Sequence, residues 1–413
     1  MTRRVVITGM GVVSPLGNNT DDFFNSLMAG RSGIKHLQAP FAEQLNTRIA
    51  ASVENFNPTD YFSKMQLSGI ERFSQFALVA AQQAVADANL QLSVEEQPRA
   101  GVYMGSCMGG NGTLEEGYVE MFVKNNSRVK PLSVLLTMNN AAASHISIKY
   151  HLQGPNVTYS TACSSSAIAV GEAYRQIKHG YCDVMFAGGS EALLTFGVMK
   201  AWEALRTLAI EDPQDPGASC KPFSKDRSGL VLGEGAVVLI LEDAERAQKR
   251  GAKIYAELVG YGCLSDSSHI TKPDANGQSL TIRSALAEAG LQPQDIDYIN
   301  AHGTATAAGD VQETLAIKQV FGEHAAKLPV SSTKSMHGHL MGATGAIEFA
   351  ASLLAMQHNA IPPTTNLHNP DPECDLDYVP NVGRRDVPLN TVMSNSFAFG
   401  GSNAVLIAKR FKA

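Results

Sequence analysis

The sequence predicts an α/β fold with buried sheets, and three observations support this prediction. Short apolar, strand-like runs alternate with helical patterns along the 413 residues. The strand-like runs lack polar alternation, which is typical of sheets covered on both faces. The chain is also long enough for two domains or for one large layered unit.

The elements follow in chain order. The strand-like runs are short and apolar and lie at residues 4–9, 100–105, 156–160, 183–189, 236–242, 254–262, 297–303, 328–333, 391–396 and 403–408. Helical patterns lie at residues 20–29, 71–89, 132–150, 165–179, 243–250, 278–289, 309–321 and 344–358. In the helix at 71–89, apolar residues such as Phe73, Phe76 and Ala77 recur at three- and four-residue spacing.

Two segments share one plan, a small-residue turn that leads into an Ala-rich helix. They read TACSSSAIAVGEAYRQIKHG from Thr161 and GHLMGATGAIEFAASLLAMQHN from Gly338. This likeness predicts an internal duplication with halves at 1–250 and 251–413, joined by the charged segment near residue 250. The likeness is weak, and coincidence stays open as the alternative.

Composition narrows the class of protein. The net charge of −6 argues against a nucleic-acid binder, which would carry a basic excess. The six cysteines include no CxxC pair, which fits a reducing cytosol better than a disulfide framework or zinc ribbon. The N-terminal segment leads directly into a strand, so we expect no signal peptide, and no uncharged run is apolar enough to span a bilayer.

Three motifs favour a structural interpretation. TGMGVVS (8–14) has Ser14 where a dinucleotide fingerprint needs its third glycine. His337 and His339 form a His-Gly-His pair, but no companion ligands stand at metal-site spacing. Cys107 sits in a G-x-C-x-G arrangement, but we expect a glycine-rich loop after it rather than the helix of a nucleophile elbow, so it is predicted to be a pocket-lining or packing residue.

Cys163 lies between a strand and a helix, in a run of very small residues. Alone, such a thiol is more often a packing residue than a nucleophile. The distal half adds His302 at the end of a strand, Lys334 and His339 in one loop, Glu348 on the next helix, and the loop NSFAFGGSN at 395–403. Together these residues favour catalysis over packing.

These four segments resemble the β-ketoacyl-acyl-carrier-protein synthases of the I/II type, which are thiolase-like condensing enzymes. The order Cys, His, Lys, His, the C-terminal Phe-Gly-Gly-x-Asn loop, VVITGMGVVSPLG and KPFSKDRSGLVLGEGA match over essentially the whole chain. The resemblance is nearest to the type II synthase of fatty-acid elongation and its polyketide and polyene relatives. It implies a thiolase-like, five-layered αβαβα fold built from two similar halves, and a dimer.

The resemblance implies a role for each site residue. Cys163 takes an acyl group, its thiolate favoured by a helix N-terminus, and the N–H groups of Cys163 and Phe399 form an oxyanion hole. His302 and His339 donate to the enolate formed when a malonyl thioester loses CO₂, and the Lys334–Glu348 pair orients His339. Supporting and substrate-binding roles fall to Asp310, Thr304, Thr306, Met108, Trp202, Phe397 and Gly400. We expect no metal or redox cofactor, because the phosphopantetheine arm arrives with the acyl carrier protein.

Three departures from the family pattern bear on the product. Ala398 stands where the gating loop usually has glycine, which predicts a stiffer gate at Phe399. Met108 and Trp202 place large side chains where the acyl pocket is expected. The segment 64–72 has few cations for an acidic carrier protein, leaving as candidate contacts Lys64, Arg72, Lys124, Arg128, Lys130 and Arg206.

These departures keep an alternative open, a specialised polyene or type II polyketide ketosynthase beside a chain-length-factor-like partner subunit. Two alternatives lie outside the class: a hydrolase that uses Cys107, and a non-catalytic protein that binds acyl carriers. Condensation retained in Cys163→Ala but lost in Cys107→Ala would favour the first. An absence of CO₂ release from malonyl carrier protein would favour the second.

Overall fold

The computed structural model describes residues 2–412. Its strands are β1 Val5–Val13, β2 Lys35–His36, β3 Ile49–Ala50, β4 Ala100–Gly105, β5 Asn156–Tyr159, β6 Val184–Glu191, β7 Gly235–Asp243, β8 Ala256–Ser265, β9 Tyr298–Asn300, β10 Val330–Ser331, β11 Thr391–Phe397 and β12 Ser402–Lys409. Its α-helices are α1 Thr20–Met28, α2 Lys64–Leu67, α3 Arg72–Ala88, α4 Asn111–Tyr118, α5 Ser133–Thr137, α6 Ala141–Tyr150, α7 Ser165–Lys178, α8 Phe196–Leu205, α9 Ala244–Lys249, α10 Ala275–Ala289, α11 Ala307–Phe321, α12 Lys334–His337 and α13 Thr344–His358.

The large sheet repeats one topology twice. Its strand order is β10-β9-β11-β12-β8-β1-β7-β6-β4-β5, so within each half the strands stand in the same sequence of third, second, fourth, fifth and first. The last strand of each half, β7 or β12, is antiparallel to both of its neighbours. The halves join where β1 pairs with β8. The fold is therefore built from two similar halves, as expected, while the boundary near residue 250 stays a prediction.

The helices and sheets form five layers. The buried helices α7 and α13 pack on each other and on strands of both halves. Helices α3 and α6 cover the outer face of the first half, and α10 and α11 cover that of the second. Three apolar cores fill the spaces between these layers. The central layer brings the turns before α7 and α13 together, which positions the site described below.

Several sequence-based boundaries need correction. The predicted helix 132–150 is two helices, because Met138 adopts an extended conformation (φ −61°, ψ 129°) between α5 and α6. Helix α8 was not predicted, and the expected glycine-rich loop after Cys107 contains α4, which begins at Asn111. The first strand continues to Val13, so the TGMG segment is buried strand and not a phosphate loop. Among residues 2–412, no helix is both long and apolar enough to cross a lipid bilayer.

Candidate active site

Cys163 lies in a tight turn between β5 and α7. The turn at 162–164 is a 3₁₀ helix, and Ala162 before the thiol adopts a left-handed conformation (φ +50°) that is strained for a residue with a Cβ. Cys163 itself is only 5% exposed. The strand–turn–helix arrangement predicted for this cysteine is therefore present.

The charge state of this thiol differs from the expectation. Burial raises the pKa of the Cys163 thiol to about 11, against the opposing effects of the Lys334 charge and of the Phe399 and Cys163 backbone N–H groups. The position before a helix is thus not sufficient to produce a thiolate in the closed site, because desolvation of the sulfur outweighs the nearby dipoles.

His302 follows β9 and is held by a buried ammonium. Lys334 Nζ donates to the His302 carbonyl oxygen and to Glu348 Oε1, and lies 3.3 Å from His302 Nδ1. An ammonium can only donate, so His302 Nδ1 is the acceptor and its Nε2 carries the proton. We expected the Lys334–Glu348 pair to orient His339, but the hydrogen bonds of Lys334 go to His302.

The buried surroundings of Lys334 shift the titration of its neighbours. Burial raises the pKa of the Glu348 carboxyl, and the charge of Lys334 opposes that rise. Burial and the same charge hold the pKa of His302 and of His339 well below the usual range. Both imidazoles are therefore neutral at pH 7.

His339 is oriented by its own loop. The backbone N–H of Met341 donates to His339 Nδ1 (3.1 Å), and Thr344 Oγ1 lies 2.9 Å from the same nitrogen. A backbone N–H can only donate, so the His339 proton is on Nε2. That Nε2 is buried and has no hydrogen-bond partner among residues 2–412.

The predicted catalytic side chains converge. One donor atom each from Cys163, His302 and His339 lie within 4.8 Å of one another, and the two imidazole rings meet edge to face at 5.6 Å. All three line one cavity of about 370 Å³. Sulfur and two nitrogens at this spacing match metal ligands in kind, but the Lys334 ammonium beside His302 disfavours a cation. The absence of a metal in the working protein stays a prediction.

Several of the predicted supporting and substrate-binding residues lie around the cavity and the loop after His302. Asp310 Oδ1 accepts from the N–H of Ala305 (3.1 Å) in the loop after His302, which supports that loop. The hydroxyls of Thr304 and Thr306 lie 3.0 Å apart on the cavity wall. Phe397 also lines the cavity, close to His302 (6.2 Å between ring centroids).

A pair of stacked aromatic rings lies beside the thiol. Trp202 stacks on Phe399 at 6.1 Å with an 18° angle between the rings, and both line the cavity that contains Cys163. The next residue, Gly400, adopts φ +83° and donates its N–H to Ile270 O (2.7 Å). Gly400 is not part of the cavity wall in the described chain.

The structure does not bring Met108 into this cavity. Its side chain is 37% exposed on the surface of the single chain. Cys107 instead packs in the apolar cluster around Cys163, and its thiol donates to Ala162 O (3.0 Å). Burial raises the pKa of the Cys107 thiol well above its usual range. Cys107 does not line the cavity that contains Cys163, so its environment is that of a packing residue.

Two buried carboxylates escaped the sequence analysis. Glu313 on α11 accepts from the backbone N–H groups of His302 (2.8 Å) and Gly303 (2.7 Å). Glu191 accepts from Cys107 N–H (2.8 Å) and Gly342 N–H (3.0 Å), which ties the two halves together beside the site. In the sequence, the signal for these two residues was a carboxylate on the apolar face of a helix, as for Glu313, or within an apolar strand, as for Glu191.

The His-Gly-His pair does not form a metal site. Both ring nitrogens of His337 have hydrogen-bond partners, Gly338 O (2.8 Å) and Thr333 Oγ1 (2.9 Å). Of the pair, only His339 has a ring nitrogen close to the Cys163 thiol.

The chain matches a known family in both of its halves. Residues 2–247 match the Beta-ketoacyl synthase, N-terminal domain, and residues 255–368 match the Beta-ketoacyl synthase, C-terminal domain. A 3-oxoacyl-[acyl-carrier-protein] synthase 2 from Coxiella burnetii is 44% identical over 410 residues, which cover 99% of both chains.

Solved structures agree with the sequence comparison. A type II polyketide ketosynthase, solved with its acyl-carrier protein and bound to the hexaketide, has a TM-score of 0.92 at 34% identity, with full coverage of both chains. The ishigamide ketosynthase/chain length factor gives 0.92 at 33% identity, also with full coverage. These values confirm the predicted thiolase-like ketosynthase fold.

Proposed function

The chain belongs to the β-ketoacyl synthase family, and from that premise we propose that it is a 3-oxoacyl-[acyl-carrier-protein] synthase. It lengthens an acyl chain by decarboxylative Claisen condensation with a malonyl group carried on an acyl carrier protein. The observation that carries this proposal is the convergence of Cys163, His302 and His339 within 4.8 Å in one cavity.

The first half-reaction transfers the acyl group to Cys163. The sulfur attacks the thioester carbonyl, a new C–S bond forms, and the carrier thiol leaves with the proton that the cysteine releases. The Cys163 and Phe399 N–H groups approach the thiol closely enough to lower its pKa, so they are placed to stabilise the oxyanion of the intermediate. The raised pKa favours loss of the thiol proton during the attack rather than before it.

The second half-reaction forms the new carbon–carbon bond. The malonyl carboxylate leaves as CO₂, and the electron pair moves into an enolate whose oxygen accepts from the Nε2–H groups of His302 and His339. Two neutral imidazoles provide these donors, since both pKa values are low. The enolate carbon then attacks the acyl-Cys163 carbonyl, and the sulfur leaves to give the 3-oxoacyl product.

The cavity suits a pantetheine arm. The cavity that contains the Cys163 thiol is also lined by Thr304 and Thr306 and by the cationic side chains of Arg206 and Lys272. Neither cation has an acidic partner within 4 Å among residues 2–412, so both are available for the arm's phosphate. The arm thus enters at Arg206 and Lys272 and places its thioester at Cys163.

The carrier protein docks through exposed cationic side chains. Of the six cations expected to contact it, Arg72 pairs with the buried Glu234 (2.7 Å), and Lys124 and Lys130 pair with surface glutamates at 2.7 and 2.5 Å. Lys64, Arg128 and Arg206 have no such pair in the described chain and remain as the docking contacts.

A second subunit covers the surface next to β5. This strand is at one end of the large sheet, and Asn156 and Val157 are exposed on it. Exposed apolar side chains lie on the segment from 118 to 135, including Phe122 (75% exposed) and Val134 (73%), and its helix α5 contacts α6, which in turn contacts β5. An unpaired edge beside an apolar surface is typical of a subunit interface. The partner is a second copy of this chain or a chain-length-factor-like subunit. Light scattering of this chain purified alone distinguishes the two, because a dimer indicates a second copy and a monomer indicates a different subunit.

A specialised polyketide or polyene ketosynthase is the second candidate function. The paired state of Arg72 leaves Lys64 as the only unpaired basic side chain of the segment 64–72, fewer than an acidic fatty-acid carrier protein would be expected to contact. Two solved structures with TM-scores of 0.92 are ketosynthases of a type II polyketide synthase and of ishigamide.

The test is acyl loading followed by condensation. The protein is incubated with acyl carrier proteins of increasing chain length and with polyene thioesters, and intact mass spectrometry measures the acyl-enzyme. Malonyl carrier protein is then added, and CO₂ and the 3-oxoacyl product are measured. We expect loading in the wild type and none in Cys163→Ala. Loading of Cys163→Ala, or no CO₂ release from the wild type, would overturn the proposal.

A further inference from the structure

His337 is a buried histidine that the proposed reaction does not use. It ends the short helix α12, three residues after Lys334 and two before His339, and its side chain is fully buried. Burial and the charge of Lys334 lower its pKa to about 3, so the ring is neutral.

The hydrogen bonds of His337 fix its tautomer. The Gly338 carbonyl oxygen, 2.8 Å from Nδ1, can only accept, so Nδ1 carries the proton. Nε2 therefore accepts from the Thr333 hydroxyl at 2.9 Å. This is the opposite tautomer from that of His302 and His339.

The network continues from Thr333 to the other catalytic loop. Asn300 Nδ2 donates to Thr333 Oγ1 (3.3 Å) and to the carbonyl oxygen of Glu348 (3.3 Å). Asn300 ends β9, two residues before His302. A continuous chain of donors and acceptors thus runs from the His302 strand through Thr333 and His337 to the turn at Gly338.

The turn at Gly338 determines where His339 lies. Gly338 adopts φ +68°, and a Cβ there would lie 2.9 Å from Ala51 Cβ. The next residue, His339, donates its backbone N–H to Val231 O (2.7 Å) and accepts from Gly233 N–H (2.9 Å). A side chain that holds the Gly338 carbonyl therefore acts on the orientation of the catalytic ring that follows.

We propose that His337 is a positioning residue that keeps the loops of His302 and His339 at the separation needed for both imidazoles to donate to one enolate oxygen. This inference rests on the proposed function. It assigns His337 an effect on the decarboxylation half-reaction, which needs both rings, and little effect on acyl transfer to Cys163, which needs neither ring as a donor.

The experiment compares the two half-reactions in four variants. His337→Phe removes both hydrogen bonds, and His337→Asn retains a donor near the position of Nδ1. Thr333→Val removes only the hydroxyl. Thr281→Val is the matched control, because Thr281 is a fully buried threonine on α10 whose hydroxyl donates to Gly277 O (2.8 Å) far from the network.

We expect decarboxylation of malonyl carrier protein to fall about 10- to 100-fold in His337→Phe and Thr333→Val, because a displacement near 1 Å of a reacting group costs about that much. Acylation of Cys163 should change less than about threefold, by the same reasoning. His337→Asn should recover part of the lost rate, and Thr281→Val should leave the ratio of the two rates unchanged.

Equal losses in both half-reactions, or no loss in either, would refute the positioning role. Should His337→Phe fail to fold, Thr333→Val and His337→Asn still test it. A ¹⁵N-histidine NMR spectrum supplies a readout independent of activity. We expect the Nε2–H tautomer of His339 in the wild type, held by Met341 N–H and Thr344, and shifted Nε2–H resonances of His302 and His339 in Thr333→Val, because the two loops then move relative to each other. An unchanged spectrum would count against the inference even if the wild type releases no CO₂.

Discussion

The turns before α7 and α13 are the same structure used in two ways. Each begins with a residue in the left-handed conformation, Ala162 (φ +50°) or Met341 (φ +45°), continues as a three-residue 3₁₀ helix, and enters a buried helix. Cys163 in the first turn therefore corresponds to Gly342 in the second.

The difference lies in what each turn faces. The sulfur of Cys163 lines the cavity, whereas the N–H of Gly342 is covered by the Glu191 carboxylate (3.0 Å), and a Cβ there would lie 2.6 Å from Cys107 N. The second turn instead orients His339 through Met341 N–H and Thr344, with Lys334 and Glu348 buried beside it. The first half thus supplies the proposed nucleophile from the turn itself. The second half supplies the proposed hydrogen-bond donors beside a buried network that includes Lys334 and Glu348.

Breaking the charged network should give the largest effect on stability. Lys334→Met leaves Glu348 buried without its partner, and we expect the free energy of unfolding to fall by about 3–5 kcal/mol. The double variant Lys334→Met, Glu348→Leu should recover part of this loss, since no charge is then stranded. Chemical denaturation measures both. A double variant as unstable as the single one would show that the pair does not act through charge.

Placing alanine at the corresponding position of each turn should give the next largest effect on stability. Gly342→Ala places a Cβ against backbone atoms, and we expect a loss of about 1–3 kcal/mol in the free energy of unfolding. Cys163→Ala is the matched change in the other turn and should cost less than about 1 kcal/mol, because it opens onto an existing cavity. Equal costs at the two positions would contradict the proposed difference in their surroundings.

The pH dependence of Cys163 alkylation sharpens the comparison. A thiol with its pKa raised to about 11 is mostly protonated at neutral pH. The thiolate is the reactive form, so the rate of iodoacetamide labelling at Cys163 should rise about tenfold per pH unit from pH ~7 to ~10. Peptide mass spectrometry follows this one site. A plateau that begins below pH ~8 would show that the turn stabilises the thiolate after all.

The smallest expected effect concerns the gate. Ala398 is 9% exposed, packs in the apolar cluster around Cys163, and has ordinary extended dihedrals. Replacing it with glycine frees the backbone, and we expect loading and elongation rates to change by about two- to fivefold. Stopped-flow loading and steady-state turnover measure the two. Kinetics like those of the wild type would remove Ala398 as the cause of a stiffer gate.

Much of the architecture could be predicted from local patterns. The helical pattern at 344–358 predicted both ends of α13 correctly. Its side chains are mostly apolar, as a helix buried on all sides requires. The single helix predicted at 132–150 was wrong. Its apolar residues continue across the break at Met138, which local periodicity does not reveal. Helix α4 was missed because two glycines lower the helix propensity of its sequence.

The site was predicted in part. Cys163, His302, Lys334 and His339 could be selected by residue type and order. The predicted role of Lys334 was wrong in part, because it holds His302 rather than His339. A buried ammonium donates to whichever acceptors the fold places around it, here those of His302. Glu313 was missed because a glutamate in a helical pattern usually faces water.

The sequence by itself determined most of the longer strands and helices and the chemical groups available to the site, since these follow from side-chain type and spacing. Only the tertiary structure decided which imidazole nitrogens carry protons, that burial outweighs the helix end at Cys163, and that His337 links two loops. The physical reason is that tautomer and pKa depend on desolvation and on hydrogen-bond partners. Both come from segments that are distant in the chain.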